Sequence, residues 1–130
     1  MHALKRKRIL VTGGSGFLGR HVCLAMNEFD PARIVTFRSA DYNLLEQQDV
    51  RRLLRNTTPE VVVHLAGVVG GIGANRANPG KYFYENAIMG IQLMEEARKA
   101  GIEKFVSIAT ICAYPKNAQV PFRESALWDG

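Results

Sequence analysis

The chain carries a glycine-rich segment whose residue types could hold a phosphate group, Gly13-Gly14-Ser15-Gly16-Phe17-Leu18-Gly19. Gly13 permits a tight turn, Gly16 lets a pyrophosphate approach the backbone, and Gly19 lets a helix pack close to a sheet. The free N–H groups and the dipole of a helix start would face the negative phosphates. An apolar run precedes this segment and an amphipathic one follows, so we interpret it as a dinucleotide site rather than a purely structural turn.

The residue after the second apolar run, at 33–37, indicates which dinucleotide is bound. A carboxylate at this place would bind the ribose 2′-hydroxyl of NAD, but the chain has Arg38 there, followed by Ser39. A guanidinium can pair with a 2′-phosphate, and a serine hydroxyl can add a hydrogen bond. We therefore favour NADP(H) over NAD, the alternative for Arg38 being a solvated loop charge. Asp41 comes later and is expected to cap a short strand or to meet the adenine side.

Strand-like and helix-like segments alternate along the chain. The predicted strands are 8–11, 33–37, 61–66 and 104–109, with a short additional strand at Tyr42–Leu45. The predicted helices are 17–28, 46–55 and 82–100, and residues 67–80 are predicted to be a long loop. This order predicts an α/β fold, a Rossmann-type parallel sheet with helices on both faces, forming one NADP-binding domain over residues 1–130.

Four loops leave the carboxyl ends of these strands and should converge on one crevice, where ligands bind in such sheets. The loops are 13–19, 38–41, 67–80 and 110–116. Beyond the glycine segment and Arg38, the predicted cofactor-binding residues are Leu44, Leu65, Ala66, Gly67, Ile108 and Ala109. No metal site is predicted.

Composition narrows the class of protein. The chain has 130 residues, of which 47% are hydrophobic and 22% charged, and no apolar run approaches a membrane span. Two cysteines do not make a disulfide framework and no signal peptide is apparent, so a cytoplasmic protein without a membrane partner is expected. The net charge is +5, with a basic cluster at 5–8. This cluster runs into a strand without interleaved aromatic residues, which favours a solvated lead-in over a nucleic-acid arm.

Three further segments carry a family resemblance. They are Val69-Gly70-Gly71-Ile72-Gly73-Ala74-Asn75, then Pro79 with Asn86 downstream, and Ile111-Cys112-Ala113-Tyr114-Pro115-Lys116. From about Arg8 to its end, the chain resembles the N-terminal part of an extended short-chain dehydrogenase/reductase. More narrowly, it resembles the GDP-L-fucose synthases, which are GDP-4-keto-6-deoxy-D-mannose 3,5-epimerase/4-reductases.

The resemblance implies roles for individual residues. Thr110 stands where the family has a Ser or Thr that hydrogen-bonds the substrate carbonyl. Cys112 matches an acid/base of the epimerisation steps, and Asn86 matches an asparagine near the active centre that would bind substrate. The alternatives are a small buried apolar residue for Cys112 and a helix-start hydrogen bond for Asn86. His64 and the second cysteine, Cys23, are interpreted as structural.

The resemblance also implies an NADP-dependent oxidoreductase/epimerase that acts on a GDP-sugar and forms a homodimer. The long helix would contribute to the dimer through apolar residues at helical spacing, which packing on the sheet would explain equally well. These residues are Ile88, Ile91, Met94 and Ala97.

One family element is missing from the chain. The reductive chemistry of the superfamily uses a Tyr-x-x-x-Lys pair, yet none of the four tyrosines is followed by lysine at the fourth position. We therefore expect a truncated piece of a longer enzyme, inactive alone. The alternatives are an NAD-dependent nucleotide-sugar 4-epimerase or dehydratase of the same superfamily, or a non-catalytic nucleotide-binding module.

Overall fold

Four parallel strands form a single sheet in the computed structural model of the chain, which describes residues 4–129. The strands are β1 (Arg8–Thr12), β2 (Arg33–Val35), β3 (Val61–His64) and β4 (Lys104–Ser107). They pair in the order β2-β1-β3-β4, with Thr12 opposite His64 and His64 opposite Ser107. Because every strand runs in the same direction, all the carboxyl ends lie at one edge of the sheet.

Helices cover both faces of this sheet, as the alternating pattern predicted. They are α1 (Phe17–Asn27), α2 (Gln47–Thr57), α3 (Ile72–Ala77) and α4 (Pro79–Lys99), followed by two short 3₁₀ turns at Ile111–Ala113 and Glu124–Trp128. α1 packs on one face, whereas α2 and α4 pack together on the other. The doubly covered parallel sheet confirms the Rossmann-type fold.

The strand side chains divide between two apolar layers because successive residues of a strand point to opposite faces. Leu10 and Val62 face α2 and α4, where they join fully buried Leu53 and Leu93. The other layer lies under α1. Its buried strand residues are Ile9, Val11, Val61 and Val63.

The predicted short strand at Tyr42–Leu45 is wrong, because this segment forms turns. The side chain of Asn43 accepts a hydrogen bond from the Leu45 N–H at 3.1 Å, and Asp49 accepts one from the Asn43 N–H at 2.8 Å. Such local side-chain acceptors satisfy the backbone and replace the hydrogen bonds of a strand ladder.

The predicted loop at 67–80 contains a helix that was not predicted from the sequence. α3 occupies Ile72–Ala77, and Asn75 donates side-chain hydrogen bonds to the carbonyl oxygens of Gly70 and Gly71 at 2.8 and 3.2 Å. α4 then begins at Pro79, earlier than predicted, since proline suits the first helical position, where its missing N–H is not needed.

The buried side of α4 also differs from the predicted stripe. Ala97 is buried, but Ile91 and Met94 are 64% and 52% exposed. The residues that face the core are Met89, Leu93, Glu96 and Ala97. Glu96 can be buried because Arg51 of α2 contacts its carboxylate at 3.0 Å. No helix within residues 4–129 has both the length and the apolar character that a membrane crossing needs.

Candidate cofactor site

A cleft of about 890 Å³ opens at the carboxyl edge of the sheet, above β1. Three segments form its walls: the glycine turn after β1, the segment after β2 and the segment after β3. Its lining includes eleven residues predicted to bind cofactor, which are Gly13, Ser15, Gly16, Phe17, Leu18, Gly19, Arg38, Leu44, Leu65, Ala66 and Gly67. Three of the four predicted loops therefore meet at one place.

The glycine turn is in direct backbone contact with its neighbours. Gly13 has a φ of +69°, and a Cβ at this position would lie 2.8 Å from the Ala66 nitrogen. A Cβ on Gly19 would overlap the carbonyl oxygen of Gly13 and approach the Gly14 Cα to 2.6 Å. Side chains at either position would push the turn away from β3 or from α1. The glycines thus allow close packing at the bottom of the cleft.

The start of α1 faces the cleft without a capping side chain. Gly16 is the residue before the first helical turn, and no side chain accepts a hydrogen bond from the N–H groups there. Helix starts leave such groups unpaired within the helix and carry a partial positive charge. Phe17 is 78% exposed, so its ring does not fill the space. This end of the cleft can accept an anionic group such as a phosphate.

Thr12 is a fully buried residue directly before Gly13 that was not predicted as a site residue from the sequence. Its hydroxyl oxygen accepts hydrogen bonds from the Leu65 and Ala66 N–H groups at 3.2 and 3.0 Å, and lies 2.7 Å from Nδ1 of His64. Burial lowers the pKa of His64. Both residues end neighbouring strands of the sheet, which the predicted strand bounds of 8–11 and 61–66 did not show.

Arg38 lies in the second wall of the cleft. Asp41 closes a turn around it, since its carboxylate accepts a hydrogen bond from the Arg38 N–H at 3.2 Å. Within the described part of the chain, the guanidinium of Arg38 has no hydrogen-bond or ion-pair partner, and the residue is exposed. The turn therefore presents a free cationic side chain to a ligand.

An aromatic pair behind Arg38 completes this wall. The rings of Phe37 and Tyr42 meet edge to face with centroids 5.6 Å apart, and the Arg52 guanidinium carbon lies 4.5 Å above the Tyr42 ring. Eight further residues line the cleft. Ser39, Val68 and Val69 belong to the predicted loops, and Ser39 was expected to add a hydroxyl, whereas the other five lie in segments that were predicted to be strand or helix. All of the additional lining residues are Phe37, Ser39, Tyr42, Asn43, Leu45, Val68, Val69 and Met89.

Asn86 of α4 holds the third wall in place. Its side-chain oxygen accepts a hydrogen bond from the Val68 N–H at 2.8 Å, and its amide nitrogen donates to the Val68 carbonyl at 2.9 Å and to the Tyr82 carbonyl at 2.8 Å. The Asn86 amide thus clamps the backbone just after Gly67. Substrate binding by Asn86 remains a prediction.

Besides Asn86, five predicted site residues are not among the residues that line the cleft. Gly14 packs against Thr36 instead, and the Ile108 N–H donates to the His64 carbonyl at 3.4 Å. The Thr110 hydroxyl accepts a hydrogen bond from the Cys112 N–H at 3.2 Å and caps the turn Ile111–Ala113. The five residues are Gly14, Ile108, Ala109, Thr110 and Cys112. Cys112 is exposed, whereas partial burial raises the pKa of the other thiol, Cys23.

Comparison with known proteins agrees with this architecture. The chain is 35% identical over 130 residues to a GDP-L-fucose synthase of Sinorhizobium fredii, and 34% identical over 123 residues to a GDP-L-colitose synthase of Yersinia pseudotuberculosis. These matches cover 100% and 95% of the chain but only 41% and 40% of the relatives. The chain therefore spans about two fifths of the length of these proteins.

Solved structures share the fold. The NADP-bound GDP-mannoheptose C4 reductase MlghC of Campylobacter jejuni superimposes with a TM-score of 0.86 at 23% identity, covering 100% of this chain and 41% of the reductase. At this identity, the match shows the fold alone.

The parallel sheet and the cleft above β1 define a Rossmann-type nucleotide-binding architecture. The family model described as the NAD dependent epimerase/dehydratase family matches residues 9–129. The chain belongs to this family.

Proposed function

We propose that this chain binds NADP(H) in the cleft above β1, as the cofactor-binding part of a nucleotide-sugar epimerase/reductase. The observation that carries the proposal is the convergence of the glycine turn, Arg38 and the segment Leu65–Gly67 around one cleft. The turn offers backbone contact and an open helix start to a pyrophosphate. The unpaired guanidinium of Arg38 supplies the cation that a 2′-phosphate needs.

The proposed cofactor-binding residues in this cleft are those of the glycine segment 13–19 except Gly14, together with Arg38, Leu44 and Leu65–Gly67. Gly14, Ile108 and Ala109 lie outside the lining, so a role for them stays a prediction from the sequence. Bound NADPH would supply a hydride for the reduction of a ketone. The fit rests on the backbone cradle at Gly13, which a Cβ would fill, and on the uncapped start of α1. The NADP-bound reductase with the same fold supports this choice.

The substrate of the whole protein is proposed to be GDP-4-keto-6-deoxy-D-mannose, converted to GDP-L-fucose. The names of the two curated relatives support a GDP-sugar. Thr110 would hold the substrate carbonyl, Cys112 would move protons beside it, and Asn86 would contact the sugar. Because no tyrosine of the chain has a lysine four residues later, the 130 residues would not complete the reduction alone.

Replacing Arg38 with serine tests the cofactor assignment. We expect NADPH to bind the unaltered chain more tightly than NADH, and Arg38→Ser to weaken NADPH binding by about 10- to 100-fold with little change for NADH, as expected for the loss of a charge-assisted hydrogen bond. Titration calorimetry with each nucleotide measures both affinities.

The matched control is Arg55→Ser, because Arg55 is exposed at the far end of α2 and lines a different pocket. This variant should bind NADPH as the unaltered chain does. Equal or tighter binding of NADH by the unaltered chain would contradict the NADP(H) assignment and favour the NAD-dependent enzymes of the superfamily.

A cytoplasmic homodimer is the proposed assembly, formed through the outer side of α4. An exposed apolar stripe supports it, with Phe83, Ile91 and Met94 at 79%, 64% and 52% exposure on the same side of the helix. We expect Ile91→Glu to shift the chain from dimer to monomer, measured as molar mass by light scattering. The control Leu24→Glu changes an exposed leucine of α1 and should leave the mass unchanged. A monomeric unaltered chain would contradict the proposal.

A further inference from the structure

The buried contact between Thr12 and His64 joins the two backbones that meet at the bottom of the cleft. The Thr12 residue is fully buried and His64 is 7% exposed. Thr12 immediately precedes Gly13, and His64 immediately precedes the lining residues Leu65 and Ala66. A change in this contact would therefore shift both the glycine turn after β1 and the segment after β3.

The hydrogen-bonding capacity of the threonine determines where the protons lie. Its oxygen accepts from the Ala66 N–H at 3.0 Å and from the Leu65 N–H at 3.2 Å, the latter also reaching the Thr12 carbonyl at 3.2 Å. A hydroxyl has two acceptor lone pairs and one proton. When both lone pairs accept these N–H groups, the hydroxyl proton is directed to Nδ1 of His64, 2.7 Å away. In that arrangement the imidazole is neutral and carries its proton on Nε2.

The surroundings of the imidazole favour this neutral form. The ring lies beside Thr12, the Phe105 ring with its centroid 6.3 Å away, and Gly90 of α4, where a Cβ would lie 3.9 Å from Nε2. The charged residues of β1 and β4, Arg8 and Lys104, lie at the opposite end of their strands. Burial is the cause that lowers the pKa of His64.

The acidic residues of α4 are held by basic neighbours. Glu85 lies 4.0 Å from Lys81, Glu95 lies 2.8 Å from Arg98, and Glu96 lies 3.0 Å from Arg51. The remaining basic residue of the helix, Lys99, contacts Glu95 and Glu96. Within residues 4–129, the polar group in contact with the ring is therefore the Thr12 hydroxyl.

We infer that His64 is a positioning residue for the cofactor: as a neutral acceptor it orients the Thr12 hydroxyl, which holds the Leu65–Ala66 backbone against Gly13. Protonation of His64 places a proton on Nδ1, so the Thr12 oxygen can keep this contact only as an acceptor and must then release one of the two backbone N–H groups that it holds. Cofactor affinity should then fall as the pH is lowered through the pKa of His64. The inference rests on the proposed NADP(H) site.

An asparagine substitution separates hydrogen-bond acceptance by the imidazole from its titration. The Oδ1 atom of asparagine is the same number of bonds from Cα as Nδ1 of histidine, so His64→Asn keeps an acceptor near the same place but does not titrate. Between about pH 7.5 and the lower pH at which nitrogen-15 NMR shows His64 protonated, NADPH binding by the unaltered chain should weaken about fivefold more than binding by His64→Asn, because one buried hydrogen bond is lost. The affinity of His64→Asn also changes with pH, because groups of NADPH itself titrate. This variant therefore gives the pH dependence expected without titration of His64.

Two threonine variants test the other side of the contact. Thr12→Ser keeps the hydroxyl and should bind NADPH like the unaltered chain at about pH 7.5, whereas the isosteric Thr12→Val should bind about fivefold more weakly or worse. Thermal unfolding of each variant at each pH measures the folded fraction, so that affinities are compared only between equally folded samples. Parallel pH profiles for the unaltered chain and His64→Asn would overturn the inference while leaving the cofactor site intact.

Nitrogen-15 NMR of labelled histidine gives a readout that needs no ligand. The His64 signal, assigned by its loss in His64→Asn, should report an unprotonated Nδ1 and a protonated Nε2 at about pH 7.5. A protonated Nδ1 would overturn the inference directly. Absence of NADPH binding at every pH, with Nδ1 unprotonated, would instead overturn the proposed function and the link between His64 and affinity.

Discussion

Replacing Gly19 with alanine is expected to destabilise the chain by about 3 kcal/mol and to abolish measurable NADPH binding. The added Cβ would overlap the Gly13 carbonyl oxygen and lie 2.6 and 2.8 Å from the Cα and carbonyl carbon of Gly14. All three are backbone atoms, so no side-chain rotation relieves the overlap. α1 or the glycine turn must move, and either movement changes the place proposed for the pyrophosphate. Urea unfolding and calorimetric titration measure the two effects.

Gly73→Ala is the matched control for this substitution. Gly73 lies in α3, and a Cβ there meets nothing within 4 Å. Alanine should stabilise this helix by up to about 1 kcal/mol, because it is the better helix former. If Gly19→Ala kept the stability and NADPH affinity of the control, the close packing of α1 on the turn would be refuted.

The substitution Leu93→Ala is expected to cost about 2–5 kcal/mol, the range for deletion of a large buried aliphatic side chain. Leu93 is 0% exposed and belongs to the apolar layer between α4, α2 and the sheet. α4 also carries Asn86, which clamps Val68, and Gln92, whose amide donates to the Leu45 carbonyl at 3.0 Å. Loosening of the helix should therefore weaken NADPH binding as well.

Leu24→Ala provides the comparison for the same chemical change on the surface. Leu24 is 66% exposed on α1, so its loss should change the free energy of unfolding by less than about 0.5 kcal/mol. The midpoint of urea unfolding distinguishes the two variants. Equal midpoints would show that Leu93 is not part of the core.

The glycine turn and the strands could be predicted because their signals are local. Continuous β-branched and aliphatic runs, such as that at 61–63, suit strands buried on both faces, and the structure pairs them in parallel. Three predicted strands nevertheless extended two residues too far, at Phe37, Ala66 and Ala109. At the carboxyl edge the backbone no longer pairs with the neighbouring strand. The Ala66 N–H, for example, donates to the Thr12 side chain instead of to a strand carbonyl.

Features that depend on distant neighbours could not be predicted in the same way. Helical spacing placed Ile91 and Met94 on one stripe, but the contact with α2 turns the side with Leu93 and Glu96 to the core. Burial of Glu96 needs Arg51, which is 45 residues away in sequence. The turn at 42–45 formed because side-chain hydrogen bonds outweighed the apolar character that had suggested a strand.

The sequence by itself determined the alternation of strands and helices, the glycine turn after β1 and a cation, Arg38, after β2. Each follows from local backbone preference or from the period of apolar residues. Only the tertiary structure decided that Thr12 meets His64 and that Asn86 clamps Val68, because these contacts join segments 52 and 18 residues apart. Sheet register and helix packing bring such partners together, and no spacing within a single segment encodes them.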